Sequence, residues 1–321
     1  GNLTTGGTGK TPTTQWLVRL IARSGARVGV IIRGYGGEYE HGCALASDGS
    51  RTLLTARQAG DEAYLLAQTL PGVPIGVGRD RIRTGRMLYD RFRPDVIVMD
   101  DGMQHWRLHR DLNIVLLNAC APFDNGWTVP RGMLREPKRN LRRAGIVLLT
   151  NARRATPEAV AAATREIESL APGVPTFTAD LAPVELRSLT AEAPSGLEWL
   201  RSRRVVAISA IGNPESFETE LLALGAVLAR TFRFADHHSL SAEELAAVQR
   251  VAIEEGADAI VTTEKDAVKL PATCSVPLIA LRVEMQVDRQ AELLSALRQS
   301  VPAIGEVNGG LGPQTDGDRL L

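Results

Sequence analysis

At 321 residues, with Lys plus Arg and Asp plus Glu both at 37, the chain carries no formal net charge, so composition gives no electrostatic case for bulk nucleic-acid binding. The length allows a large core and two α/β domains by the usual domain-size prior. Cys43, Cys120 and Cys274 lie far apart without C-x-x-C spacing, which disfavours a disulfide framework or zinc site and fits a reducing compartment, and no run approaches the ~18 apolar residues of a spanning helix.

The chain opens "GNLTTGGTGKTPTTQWL", already inside a phosphate-binding loop, where a strand is expected to come first. The reading is therefore of a trimmed chain whose first strand, and any N-terminal anchor, lie upstream. A helix follows, with Thr11 and Pro12 at its start, Gly25 at its end and Trp16, Leu17, Leu20 and Ile21 as its expected buried stripe. "RVGVIIRG", "VPIGVG", "DVIVMDDG", "LNIVLLN" and "GIVLLTN" read as buried strands separated by helical patterns. That alternation is the signature of a mostly parallel sheet flanked by helices.

Before the last of these strands, residues 130–145 concentrate Arg131, Arg135, Lys138, Arg139, Arg142 and Arg143 against the single acid Glu136. The run reads either as a solvated basic helix or as a surface that meets phosphates or an anionic membrane face. From residue 175 to about 194, "PTFTADLAPVELRSL" alternates apolar and polar residues between prolines, as a β-ribbon or linker does. A second α/β run follows, and the Gly-rich end reads as a disordered tail. The expected organisation is a P-loop nucleotide-binding and catalytic domain over 1–175, a β-ribbon linker over 176–200, a smaller second α/β lobe over 201–302 and the tail over 303–321.

"GGTGKT" precedes a helix, so its glycines let backbone N–H groups wrap a β-phosphate at the helix N-terminus. Thr5, Gly6, Gly7, Thr8, Gly9, Lys10 and Thr11 form this nucleotide site. Lys10 would reach the β- and γ-phosphates of ATP, and Thr11 would ligate Mg²⁺. The full pattern asks for glycine where the chain has Thr4, so a chance glycine-rich turn competes. "VIVMDD" counters it: a buried strand ending in Asp100 and Asp101 suits a Mg²⁺ shell beside such a loop, although paired acids can also end a solvated turn. Thr5 stands where dimeric partition-type ATPases carry a signature lysine, and "TEKD" has the wrong spacing for a GTPase N-K-x-D. A nucleotide-dependent switch or metal-delivery chaperone is thus the alternative, and a small-molecule kinase leads.

"GNLTTGGTGKTP", "RGYGG", "AGDEAYLLA", "VGRDR", "DDGMQHWRLHRDLNIVLLN", "PRGMLREP", "FADHHSLS" and "TTEKDAVKL", in this order, resemble the tetraacyldisaccharide 4'-kinase family of Gram-negative bacteria. The resemblance covers nearly everything to about residue 281. It implies two α/β/α lobes joined by a small β-ribbon. It also implies transfer of the ATP γ-phosphoryl group to the 4'-hydroxyl of a tetraacylated glucosamine disaccharide 1-phosphate, giving lipid IVA at the cytoplasmic face of the inner membrane. Members carry an N-terminal segment, with a membrane-associating helix and the first strand, that this sequence lacks, and Met103 stands where an aromatic residue is expected. No obligate protein partner is suggested.

The family roles fall on named positions. By resemblance Asp61 is the base for the 4'-hydroxyl and His237 orients it, a pairing in which the imidazole can fix the carboxylate and share its proton. Without the family, Asp61 before "EAYLLAQTL" reads as a helix N-cap and His237 as a helix-start residue. Asp100 at the strand end is the expected Mg²⁺ ligand, with Asp101 expected near metal or substrate, and Gln104, His105, Arg135 and Glu136, which match family motif positions, are expected to line the same cleft. Arg81 of "GRDR" is a phosphate or substrate contact. Each of these polar residues alone is more often a structural hydrogen-bonder.

Overall fold

The structure is a computed structural model that describes residues 1–6, 8–190, 194, 196–236, 238–270 and 274–305. Two compact units result: one comprises Gly1–Asp180 with the segment from Gln286 onward, the other Leu181–Met285.

The first unit begins with α1 (Lys10–Ala22), β1 (Val28–Ile32), β2 (Ala44–Asp48), α2 (Ala56–Ala59), α3 (Asp61–Thr69), β3 (Pro74–Val77), α4 (Arg81–Phe92) and β4 (Val96–Met99). β1 lies between β3 and β4, parallel to both, and β2 adds an antiparallel edge to β3. β5 (Ile114–Asn118), β6 (Ile146–Thr150), α5 (Pro157–Leu170) and the start of β7 (Thr176–Ser188, of which the residues from Leu181 belong to the second unit) follow, and the three strands pair in parallel in that order. Every residue of β1, β3 and β6 is buried, which explains their unbroken aliphatic runs, since a parallel strand covered on both faces has no solvent side to pattern. Leu3, Met103, Val115, Leu117, Leu134, Leu141, Val147 and Ile167 form a core around β5 and β6.

Gly1 and Asn2 run beside β5: Leu116 N–H donates to Gly1 O at 2.9 Å, and Asn2 bridges Leu116. The phosphate loop therefore emerges next to β5, facing the acid-bearing end of β4. Beyond Gly1 a cavity of about 730 Å³ is lined by residues of both β4 and β5 together with Leu17, Ile21, Tyr89 and Leu297.

The second unit contains β8 (Arg204–Ser209), α6 (Pro214–Ala223), β9 (Val227–Arg233), α7 (Ala242–Glu254), β10 (Ala259–Thr263), α8 (Glu264–Ala267) and most of β11 (Leu278–Val287). Its strands order β11-β10-β8-β9 and are all parallel. One cluster holds Phe217 and Leu221 of α6 with Val205, Ala207 and Val261; another holds Val248 and Ala252 of α7 with Val206, Ile208 and Ile260. Odd and even residues of β8 thus face opposite helices, the sandwich a doubly covered sheet requires. α9 (Gln290–Ser300) belongs to the first unit.

Three sequence expectations meet the structure differently, and a fourth falls outside the described residues. In α1 the buried residues include Thr14, Gln15, Val18 and Ile21, while Trp16 and Leu17 are only half-buried. The helix is rolled toward α3, where Gln15 Nε2 donates to Thr69 Oγ1 at 2.7 Å. The basic run contains no α-helix. Pro137 precedes a short 3₁₀ turn at Lys138–Arg143, and Arg131 and Arg135 sit in loop before it. The alternation after residue 175 is a strand, β7, thirteen residues long. The disordered-tail expectation falls on residues 306–321, which are outside the described residues.

Candidate active site

The phosphate loop is held from behind. Thr5 N–H donates to Met133 O at 2.7 Å, Arg135 N–H donates to Leu3 O at 2.7 Å, and Thr4 bridges Leu134. Asn2, fully buried, spans the loop by donating from Nδ2 to Thr8 Oγ1 at 2.9 Å. Gly6 (φ 105°) and Gly9 (φ 79°) take backbone conformations that L side chains rarely adopt. A Cβ at Gly6 would meet nothing, so there the requirement is conformational rather than steric. Gly7 lies outside the described residues. Lys10 opens α1 and Thr11 follows in its first turn, half-buried, so free N–H groups and two functional side chains gather at one helix N-terminus. Such a terminus suits an anion.

β4 delivers the two acids. Asp100 is 4% exposed, and its Oδ1 accepts from the Asp101 N–H at 2.8 Å. Burial, reinforced by the charges of Glu62 and Asp101, pushes its carboxyl up to about 6. Asp101 takes positive φ (46°) at the strand end. Its carboxylate accepts from Arg135 Nη1 at 2.8 Å and lies 3.8 Å from Lys10 Nζ. Burial works to raise its pKa, but Lys10 and Arg135 outweigh burial and hold it below the usual carboxylate range. Two adjacent carboxylates therefore differ: burial makes one reluctant to ionise, and its cationic neighbours hold the other ionised.

Arg81, at the start of α4, is 4% exposed and donates from Nη1 to Gly78 O at 2.6 Å, with its Nε buried and unpartnered. Burial lowers it to about 10, against the opposing charge of Asp100. Gln104 donates to Asn2 O at 2.9 Å and to Glu136 Oε1 at 3.1 Å, and accepts from Arg135 at 3.3 Å. Glu136 also accepts from Asn140 Nδ2 at 2.7 Å and is ion-paired with Arg143. His105 is held low, first by burial and then by Arg81, and its Nε2 is buried without a partner. Lys10, Asp101, Arg135, Gln104 and Glu136 thus form one connected network, with Asp100 adjoining it through Asp101. Within that network Gln104 and Glu136 spend most of their bonding on the loop and on Arg143.

Asp61 is not the N-cap. That position is Gly60, with φ 84° and no side chain to cap with, and Asp61 is the first residue of α3. "RGYGG" acquires a reason here. A Cβ at Gly60 would sit 2.7 Å from Tyr35 O and 3.0 Å from Gly34 C, so the glycine-rich turn packs directly against the joint that presents Asp61. Glu62 beside it contributes to the Asp100 shift, which puts the start of α3 within electrostatic reach of the acid pair. His237, in the second unit, lies outside the described residues.

Sequence reasoning missed Asn2, Glu62, Asn140 and Arg143. Asn2 and Glu62 stood in motifs quoted for other residues, while Asn140 and Arg143 were submerged in a run read only for its charge. Among the described residues no group of three or more His, Cys, Asp or Glu side chains forms a metal cage. A divalent ion that is held largely by phosphate oxygens and water, as Mg²⁺ is in kinase sites, needs only one or two protein oxygens. The buried Asp100 carboxylate, within electrostatic reach of Lys10 at the start of α1, is an oxygen donor of that kind.

Three comparisons bear on this site. A family model described as tetraacyldisaccharide-1-P 4'-kinase matches residues 1–302. A tetraacyldisaccharide 4'-kinase of Pelobacter propionicus is 40% identical over 301 residues, covering 93% of this chain and 81% of the relative. One from Geobacter metallireducens is 43% identical over 272 residues, covering 84% and 77%. A crystal structure of LpxK from Aquifex aeolicus in complex with ATP aligns with a TM-score of 0.74 and 29% identity, covering 94% of this chain and 87% of that one.

Proposed function

The chain belongs to the tetraacyldisaccharide 4'-kinase family, and from that premise we propose how its residues divide the transfer of an ATP γ-phosphoryl group to the 4'-hydroxyl of tetraacyldisaccharide 1-phosphate. The enzyme is a lipid kinase of lipid A biosynthesis; relatives bearing the kinase name leave the switch and metal-delivery alternatives without support. The observation that carries the division of roles is the Lys10–Asp101–Arg135 linkage beside the buried Asp100.

Thr5 to Thr11 cradle the ATP phosphates, in keeping with the ATP complex of the Aquifex relative. Asp101, 3.8 Å from the Lys10 ammonium, sets the lysine at the loop, where it serves the β–γ bridge of the nucleotide. Asp100 and Thr11 would hold Mg²⁺, which when bound neutralises charge on the phosphate oxygens. Asp61 takes the proton of the 4'-hydroxyl, and His237 orients it. Arg81, with its unpartnered Nε, and Arg135 bind anionic oxygens of nucleotide or substrate, while Gln104, His105 and Glu136 shape the wall behind them. Lipid-dependent consumption of ATP, with the phosphorylated disaccharide as product, tests the assignment. ATP turnover indifferent to lipid would refute it.

The Asp100 carboxyl gives a pH signature. A metal ligand must be ionised, and burial raises this group to about 6. Mg²⁺ then competes with a proton below that pH. The Mg²⁺ concentration for half-maximal turnover should be flat above neutrality and rise toward about tenfold per pH unit below it. Asp100→Asn should weaken Mg²⁺ dependence at every pH and flatten the profile. A wild-type profile unchanged down to pH 5 would rule Asp100 out as the titrating ligand.

The acylated substrate implies work at a bilayer, on the cytoplasmic face of the inner membrane. No helix among the described residues is long and apolar enough to cross one. Trp127, Val129 and Met133 are exposed large apolar residues in the loop zipped to the phosphate loop, and Arg131 stacks over Trp127 at 3.7 Å. With the exposed Arg131, Arg139 and Arg142 they make an apolar and cationic face suited to anionic headgroups. Co-sedimentation with anionic vesicles should fall steeply between low and physiological salt, and Arg131→Glu with Lys138→Glu should abolish it. Equal binding to neutral vesicles would remove this surface from the account.

A further inference from the structure

"TTEKDAVKL" has no part in the chemistry above, yet in the second unit it grips the loop "FADHHSLS". We infer that Lys265 and Lys269 are positioning residues that hold the two neighbours of position 237, one through the Asp236 side chain and the other through the His238 carbonyl. The inference rests on the assignment of His237 as the partner of the base.

The loop follows β9 and the motif follows β10, so both lie beyond the carboxyl ends of parallel strands, where open α/β sheets build their sites. The loop's ends are already anchored. Phe234 N–H donates to Ser209 O at 2.8 Å, and Ser241 caps α7 in a reciprocal box with Glu244. His238 stacks on Phe234 with ring centroids 5.2 Å apart and meets Glu244 through Nε2 at 3.0 Å. Two lysines then reach its centre. Lys265 Nζ bonds Asp236 Oδ1 at 3.0 Å, and Lys269 Nζ donates to the His238 carbonyl at 2.9 Å. One contact precedes residue 237 and the other follows it.

The Lys269 contact is made at a cost. Its side chain is 6% exposed, and the carboxylate it leans on, Asp266, is 3% exposed at 3.8 Å. A buried ion pair adds little stability over an apolar pair of the same volume, so its use is better sought in geometry than in stability. Asp266 is itself fixed, accepting from Ala210 N–H at 2.9 Å and Thr263 Oγ1 at 2.8 Å, so it ties the ends of β8 and β10 together. The chain of contacts therefore runs from two strand ends through Asp266 and Lys269 to the backbone beside His237. A group that must meet a hydroxyl at hydrogen-bond distance loses much of its effect when displaced by about an ångström.

The test measures kcat and KM for Lys265→Met, Lys269→Met, His237→Ala and the double variant His237→Ala/Lys269→Met, with a thermal melt for each. If the lysines act through His237, each lysine variant loses about tenfold or more in kcat while KM for ATP stays within about twofold. The double variant then falls no further than His237→Ala alone. Lys265→Arg should recover most of the loss, since an arginine still reaches Asp236, and Asp236→Asn should reproduce Lys265→Met. Should Lys269→Met fail to fold, the more exposed Lys265–Asp236 pair carries the test unaided. Folded lysine variants at the wild-type rate, with His237→Ala impaired, overturn the clamp and spare the histidine. Losses that multiply in the double variant overturn it as well. His237→Ala at full rate removes the histidine assignment and the clamp's purpose with it.

Discussion

Lys10→Ala is expected to remove nearly all phosphoryl transfer while leaving the fold in place. Lys10 is the first residue of α1, where alanine costs the helix nothing. Asp101 does not become an unpaired buried charge when the lysine goes, because Arg135 still donates to both its oxygens at 2.8 and 3.0 Å. What is lost is the one lysine of the loop able to follow charge onto the β–γ bridge as the bond breaks. Removing a single preorganised donor to developing charge typically costs about 10²–10³ in rate. A variant retaining more than about a tenth of wild-type turnover would have lost only ~1.4 kcal/mol of transition-state stabilisation, and the loop would then not be the catalytic phosphate site. Lys10→Arg separates charge from shape. A guanidinium keeps the cation but not the compact ammonium, and should recover only part of the loss.

The parts of this molecule legible in sequence are those where one local rule decides. β1, β3 and β6 are buried on both faces, so their aliphatic runs had a single reading. "GGTGKT" before a helix and two acids after an aliphatic strand announced the phosphate loop and its neighbour, because the chemistry and the backbone geometry use the same residues. What was illegible depends on partners distant in sequence. The roll of α1 is set by Gln15 bonding Thr69, and nothing near Gln15 in sequence hints at Thr69. The basic run was legible as charge but not as structure. Arg143 is committed to Glu136 and stacks over Trp106 at 4.0 Å, while Lys138 reaches Glu166 at 2.8 Å, so those cations are partly spent inside the fold. Asp61 was ambiguous for the opposite reason. A polar residue at a helix start satisfies a local rule and a chemical one equally, and only the glycine found at the capping position separates them.

That separation sharpens the expectation for Asp61→Asn: kcat should fall by roughly a hundredfold or more, the usual yield of general-base catalysis, with the fold intact. Asparagine preserves the size and the hydrogen-bonding oxygen of the side chain but cannot take the hydroxyl proton. Because Gly60 occupies the cap position, no side-chain cap is at stake. The interaction of a carboxylate with the helix N-terminus is itself worth only about 0.3–1 kcal/mol, and asparagine keeps a side-chain oxygen and adds an amide with which to hold a hydrogen-bond partner. KM for ATP should stay near wild type, since Asp61 would not be holding the nucleotide, and the loss should appear equally in kcat and in kcat/KM for the lipid. Two controls fix the interpretation. A thermal melt within a few degrees of wild type excludes a folding defect, given the size of the dipole term. His237→Ala should cost less alone and add little to Asp61→Asn, as two groups acting as a unit do. A purely structural Asp61 would give the reverse pattern, with turnover within a few-fold of wild type and any loss tracking the melt. Independent, fully multiplicative losses would break the pair apart while leaving Asp61 as the base, because the proton acceptor is identified by its own substitution and the pairing only by the cycle.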